Sequence, residues 1–156
     1  MGEKIITTNR RAGRDYHILE KYEAGIALQG TEVKTLRMTG NVQLKDSYVD
    51  VRRGELYLIG AHIPPYEQGN IYNHPPERDR KLLMHKREIL RIAQKAAEKG
   101  LTLVPLKFYF KDGRVKVEVG LCKGKREYEK RDTVQKKEAG REIERALKDF
   151  KSGRSD

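Results

Sequence analysis

The residues best suited to chemistry in this chain are cations grouped at close spacing. Lys123, Lys125 and Arg126 flank Gly124, a second pair follows at Lys130 and Arg131, and Arg10, Arg11 and Arg14 stand beside Asn9 near the N-terminus. Ammonium and guanidinium groups at this density neutralise phosphates and displace counterions. Bond-making catalysis would need a nucleophile, a tuned base or a metal set instead. His17, His62, His74 and His85 fall at no metal-ligand spacing, and the sequence has no G-x-S-x-G elbow, P-loop or dinucleotide fingerprint. The single Cys122 excludes an internal disulfide and a cysteine-based zinc site. Two readings of it stand: a thiol made acidic by Lys123 and Arg126, or a small side chain ending a strand. The carboxylates are scattered singly, which counts against a metal-dependent nuclease. The expectation is a non-catalytic chain without metal or cofactor.

Elements must position these cations, and composition bounds them. The 156 residues carry a formal net charge of +11, with 37% charged residues. That length suits one domain with an appendage, and the surplus charge calls for a polyanion. Nucleic acid is the default, and an anionic membrane surface is the rival. The longest apolar run, Leu101 to Leu106, is far short of the roughly 20 residues a spanning helix needs. The opening MGEKIITTNR lacks a signal-peptide core, and Ile6 stands where a myristoylation signal has Ser or Thr. The expected location is the cytoplasm, with no membrane partner.

Residues 1–14 read either as a solvated arm or as an arm that contacts phosphate. Tyr16 to Leu28 reads as a long strand in which Gly25 permits a bend or a bulge. Thr31 is the expected N-cap of a short helix through Arg37, with Val33 and Leu36 inward and Lys34 and Arg37 outward. Val42 to Val51 and Glu55 to Ile63 flank Arg53-Gly54 as a hairpin. The loop Glu67 to Pro76 holds Asn70 and His74; the latter is a base-stacking or phosphate-contacting group on one reading and a turn residue on the other. Pro75-Pro76 leads into an expected long helix from about Glu77 or Arg78 to Lys99, with Leu82, Leu83, Ile89, Leu90 and Ala93 on its apolar face and Gly100 beyond its end. Arg78, Arg80, Lys81 and Lys86 crowd its start and would form one patch with the loop. Leu101 to Phe110 and Val115 to Leu121 form a second hairpin across Asp112-Gly113, with Pro105 marking an edge or a bulge.

Three strands, a long helix and two more strands is the order of an OB-fold: a mainly β, antiparallel barrel with the helix between strands three and four. The expected division is a body with its basic neck at residues 1–131 and a flexible tail at 132–156. The tail carries one apolar stripe, Ala139, Ile143, Ala146, Leu147 and Phe150. Gly140 costs roughly 1 kcal/mol relative to Ala in a helix, and so short a helix is marginal alone. Disorder in isolation with helix formation on a partner is the functional reading; a solvated tail is the bland one.

The segments Asn9-Arg10-Arg11-Ala12, Leu28-Gln29-Gly30-Thr31-Glu32-Val33-Lys34, Asp46-Ser47-Tyr48, Asn73-His74-Pro75, Arg80-Lys81-Leu82-Leu83 and Lys116-Val117-Glu118-Val119-Gly120 with Lys123-Gly124-Lys125 occur in one order. In this the chain resembles the SsrA-binding protein family, also called small protein B, over almost its whole length. The resemblance implies an OB-type barrel that grips the tRNA-like domain of transfer-messenger RNA. It implies delivery of that RNA, carried by elongation factor Tu, to a stalled 70S ribosome, and a basic tail that enters the empty mRNA channel near the decoding centre. RNA contact carries over to Asn9, Arg10, Glu23, Lys116, Lys123, Gly124, Lys125 and Arg126. The wider expected set adds Arg11, Tyr16, Lys34, Arg37, Asn70, His74, Arg78, Arg80 and Lys81. Ribosome contact is assigned to Tyr128, Lys130, Arg131, Lys136, Lys137, Ala146 and Leu147. Lys and Arg supply charge, whereas Asn and Glu can read base edges or 2′-hydroxyls. A constitutive ribosomal protein is the competing expectation, distinguished by showing no preference for a tRNA-like RNA.

Overall fold

Val115, Val117 and Val119 are buried while Lys116 and Glu118 lie between them at the surface, the period-2 signature of a strand with one wet face. The computed structural model of the chain describes residues 3–66 and 73–125. Its elements are β1 (Glu3–Thr8), α1 (Ala12–Asp15), β2 (Tyr16–Ile26), α2 (Gly30–Thr39), β3 (Tyr48–Arg52), β4 (Glu55–Ile59), β5 (Arg80–Leu83), α3 (Lys86–Lys99), β6 (Thr102–Lys111) and β7 (Arg114–Gly124). The protein is mainly β-sheet with a few helices.

All strand pairings among the described residues are antiparallel. β6 pairs β3, β3 pairs β4, and the order continues through β5, β2 and β7, which pairs β6 again, while β1 lies on β6. The pairings therefore return on themselves, with the link between β3 and β6 resting on a single register pair, Val49 with Leu103. Both expected hairpins form. Arg53 and Gly54 have φ of 52° and 78°, and Asp112 and Gly113 have 53° and 76°, the left-handed pairs that match the twist of flanking strands. The expected irregularity at Pro105 is a register shift between Pro105 and Lys107.

Leu56, Leu58, Ile63, Ile92, Phe108, Val117 and Val119 are fully buried in one core. Each such side chain contributes about 1.5–3 kcal/mol on leaving water. A second, smaller cluster of Ala12, Val104, Leu106 and Cys122 seats α1 against β6 and β7.

Four expectations are corrected. The N-terminal segment is structured: β1 pairs β6 from Glu3 with Lys111 to Thr8 with Lys107. Residues 80–83 of the expected long helix are instead β5. Arg80 and Leu82 point inward and Lys81 and Leu83 outward, and the strand fills the gap between β4 and β2 through Leu56 with Leu82 and Gly25 with Leu83. Four alternating residues fit a 3.6-residue period by accident, and tertiary pairing decides. α3 thus begins at Lys86 and lies between β5 and β6, because β1 and β5 add two strands to the expected five. Finally, α2 is capped by Gln29, not Thr31: the Gln29 side chain accepts from the Glu32 amide and the Glu32 carboxylate accepts from the Gln29 amide, which satisfies two orphan donors reciprocally.

Candidate nucleic-acid interface

The arm and the neck, far apart in sequence, meet in space. Lys123 and Gly124 are the last two positions of β7, paired with His17 and Tyr16 of β2, so they belong to the sheet and not to a connecting segment. The Lys125 amide donates to the Asp15 carbonyl, and its Nζ donates to the Gly13 carbonyl at 2.9 Å, 112 positions away. Asn9 is clamped to β6: its side-chain amide donates to the Pro105 carbonyl at 2.8 Å, and its backbone amide donates to Leu106. With Asn9 fixed, exposed Arg10 and Arg11 are held at the same end of the body as Lys123. Space beside Gly124 is open, with no atom of the described chain within 4 Å of a Cβ built there.

A second group lies on the outer face of β2, β7 and β6. Glu23 is exposed, and its Oε1 accepts from the Tyr109 hydroxyl at 2.6 Å and from Lys111 Nζ at 3.2 Å. Lys116 adds a favourable charge. The Tyr109 hydrogen bond is the largest influence on the Glu23 carboxyl; burial opposes it, and the Lys111 bond with the charges of Lys111 and Lys116 brings the net pKa below its ordinary value. Tyr109 itself is buried, and burial first and the Glu23 bond second push its hydroxyl far above the ordinary tyrosine range. Tyr109 and Lys111 were not among the expected contacts. The Asp112-Gly113 turn carried the signal, since it sets Tyr109 opposite Lys116 and Lys111 opposite Arg114.

Other expected contacts are structural. Arg80 is fully buried: its Nε donates to Glu32 at 2.6 Å, and its two terminal nitrogens donate to the carbonyls of Ala61, Pro76 and Arg78. The expectation that it faces RNA is corrected, because Arg80 lies on the inward side of β5. Arg78 is half-buried and donates to both Glu32 oxygens. Burial alone would raise the Glu32 pKa, but the bonds from Arg78, the Gln29 amide and Arg80 outweigh it and the net shift is downward. His74 is buried as well. Its Nε2 donates to the Ile63 carbonyl, and its Nδ1 meets the Thr31 hydroxyl, both at 2.9 Å. A ring with both nitrogens engaged and 3% exposure has no free face for a base; it ties the loop to α2 and to the Ile63 backbone.

Lys81 is exposed but paired with Glu55. Lys34 lies over the Tyr66 ring, 5.7 Å from its centroid, and Arg37 faces solvent on the same helix. Asn70, Arg126, Tyr128, Lys130, Arg131, Lys136, Lys137, Ala146 and Leu147 lie outside the described residues.

Cys122 is fully buried, and burial pushes its thiol up to about 12; the reading as an acidic thiol is overturned because Lys123, next along the strand, points to the opposite face. Among the described residues, no group of three His, Cys, Asp or Glu is placed to hold a metal ion, and no helix is long and apolar enough to cross a membrane.

A basic antiparallel sheet with cations gathered at one end and an oriented carboxylate on an outer face defines a small protein of the polyanion-binding class. A family model described as SmpB protein matches residues 6–149. The chain is 62% identical over 146 residues to the SsrA-binding protein of Carboxydothermus hydrogenoformans, covering 94% of this chain and 97% of that protein. It is 53% identical over 150 residues to the SsrA-binding protein of Bacillus subtilis, with 96% of each covered. A chain in the solved structure "tmRNA-SmpB: a journey to the center of the bacterial ribosome" superposes with a TM-score of 0.66 at 51% identity, over 82% of this chain and 93% of that one. The chain belongs to the SmpB protein family.

Proposed function

We propose that this protein binds transfer-messenger RNA through its tRNA-like domain and delivers it to stalled ribosomes in trans-translation. The observation that carries this is the near full-length identity to proteins named for binding SsrA RNA. The geometry supports it. Arg10, Arg11, Lys123 and Lys125 converge as a phosphate-binding end, and Asn9, Glu23 and Lys116 stand where donor and acceptor groups add selectivity to charge. Open space beside Gly124 lets backbone approach the RNA closely. The returning circuit of strand pairings supports reading the body as an OB-type barrel, with residues 1–131 as body and neck and 132–156 as tail. In this reading the protein acts by binding, in the cytoplasm, within a complex that includes elongation factor Tu. The tail occupies the empty mRNA channel of the 70S ribosome, with Tyr128, Lys130, Arg131, Lys136, Lys137, Ala146 and Leu147 as its contacts.

A salt-titrated binding assay tests the proposal, using transfer-messenger RNA, an elongator tRNA and a random hairpin. The expected result is a preference for transfer-messenger RNA that survives at physiological ionic strength. Equal binding to all three, lost together as salt rises, means that only charge is read and overturns it.

A further inference from the structure

We propose that Tyr109 is a positioning residue for RNA recognition: it fixes the Glu23 carboxylate so that one oxygen faces outward as a hydrogen-bond acceptor for an RNA donor, a base amino or imino group or a 2′-hydroxyl. This rests on the reading of Glu23 as an RNA contact and adds what orients it.

The geometry is asymmetric. Tyr109 on β6 reaches across β7 to Glu23 on β2, and its hydroxyl donates to Oε1 at 2.6 Å. Lys111 Nζ donates to the same oxygen at 3.2 Å. Among the described residues Oε2 accepts no such bond, although the side chain is 39% exposed. A free glutamate on a strand rotates about three bonds, and ordering it costs side-chain entropy. Tyr109 has already lost that freedom. The residue is 3% exposed, and Lys107 Nζ lies over its ring 5.2 Å from the centroid. A rigid hydroxyl therefore sets where Oε2 points before RNA arrives, which is the condition under which a hydrogen bond adds selectivity at least entropic cost. The flanking cations Lys107, Lys111 and Lys116 attract the backbone without discriminating among bases. Within this patch, Glu23 presents an oriented acceptor that rewards a donor and repels a phosphate.

The test is a double-mutant cycle in the full chain with the tRNA-like domain of transfer-messenger RNA as probe, using Glu23→Ala, Tyr109→Phe and both together. Tyr109→Phe keeps the buried ring and removes only the hydroxyl. The expected result is about three- to tenfold weaker binding for each single variant, and a double variant no weaker than Glu23→Ala. The carboxyl resonance of Glu23, followed by NMR, should titrate at higher pH in Tyr109→Phe, with Lys111 and Lys116 still facing it; a merely structural tyrosine leaves that midpoint unchanged. Glu23→Gln serves as an arm that leaves the ring untouched. Tyr109 and Lys111 both donate inward, so the amide oxygen stays inward and an NH2 group faces the RNA, and binding should fall as in Glu23→Ala. If Glu23→Ala weakens binding while Tyr109→Phe does not, or if the two effects add, the positioning role is overturned and the Glu23 contact stands. If Glu23→Ala leaves affinity unchanged, the underlying contact is wrong.

Discussion

Arg80 Nε lies 2.6 Å from Glu32 Oε2, and neither side chain has exposed surface. This pair ties the first turn of α2 to β5, and Glu32 also closes the reciprocal cap with Gln29. Removing one partner of a buried pair leaves the other charge uncompensated, which costs about 3–5 kcal/mol. Loss of a side-chain cap alone costs about 1 kcal/mol. Glu32→Ala should therefore destabilise the body several times more than Gln29→Ala in urea denaturation.

The same carboxylate sets an acid limit. Its pKa is lower in the folded protein than in the unfolded chain, so its contribution is fully present above the unfolded carboxylate value and is lost as pH falls through the folded one. Stability measured from neutral pH downward should decline below about pH 5, and Glu32→Gln should flatten part of that decline while lowering stability at pH 7. A decline of unchanged steepness in Glu32→Gln would assign the acid limit to other carboxylates.

Gly120 of β7 has no room for a side chain. A Cβ built there meets Leu106 Cδ1 at 2.8 Å and Cys122 Sγ at 3.0 Å. Gly120→Ala should cost about 1–3 kcal/mol by overpacking, and Leu106→Ala in the same chain should recover part of that loss. Thermal denaturation of the two single variants and the double variant checks this; strictly additive losses would place the strain elsewhere.

Lys123→Ala with Lys125→Ala should weaken transfer-messenger RNA binding and lower its salt slope by about 1 per lysine that contacts a phosphate. Unchanged affinity and slope would remove the joined arm and neck from the interface. Truncation after Arg131 should leave RNA binding close to that of the full chain while abolishing peptidyl transfer on a stalled ribosome. Loss of RNA binding in that truncation would refute separate roles for body and tail.

Cys122 should resist thiol reagents in the native state and react fully in denaturant, since its thiol is buried and held far above neutrality. That makes alkylation a probe of opening between β7 and its neighbours. Rapid modification at neutral pH without denaturant would mean that this end of the sheet opens readily.

Much of this fold was legible from local chemistry. Alternation in Val115 to Val119, the Asp112-Gly113 and Arg53-Gly54 turns, and the irregularity at Pro105 all act within a few residues, and each appears where the sequence placed it. What was hidden depends on distant partners. Arg80-Lys81-Leu82-Leu83 becomes a strand because β4 and β2 flank it. Arg80 looks like a surface cation until its partner Glu32 is found 48 positions away. His74 looks like a loop-tip ligand until Thr31 and Ile63 take both its nitrogens. The exposed candidates fared differently: Arg10, Arg11 and Lys123 do lie at the surface, yet only the ladder between β2 and β7 reveals that they share one end of the body.

That ladder also constrains how the protein is made. It runs from Tyr16 with Gly124 to Gly25 with Lys116, so β2, synthesised early, must wait for β7 before its long edge is satisfied, and meanwhile has only the short pairing with β5. A nascent chain can close its hairpins as they emerge, but the ladder on β2 is completed only after β7 has been translated. Contacts so distant in sequence slow folding, and the unpaired edge of β2 is the segment most exposed to misassembly in the interval.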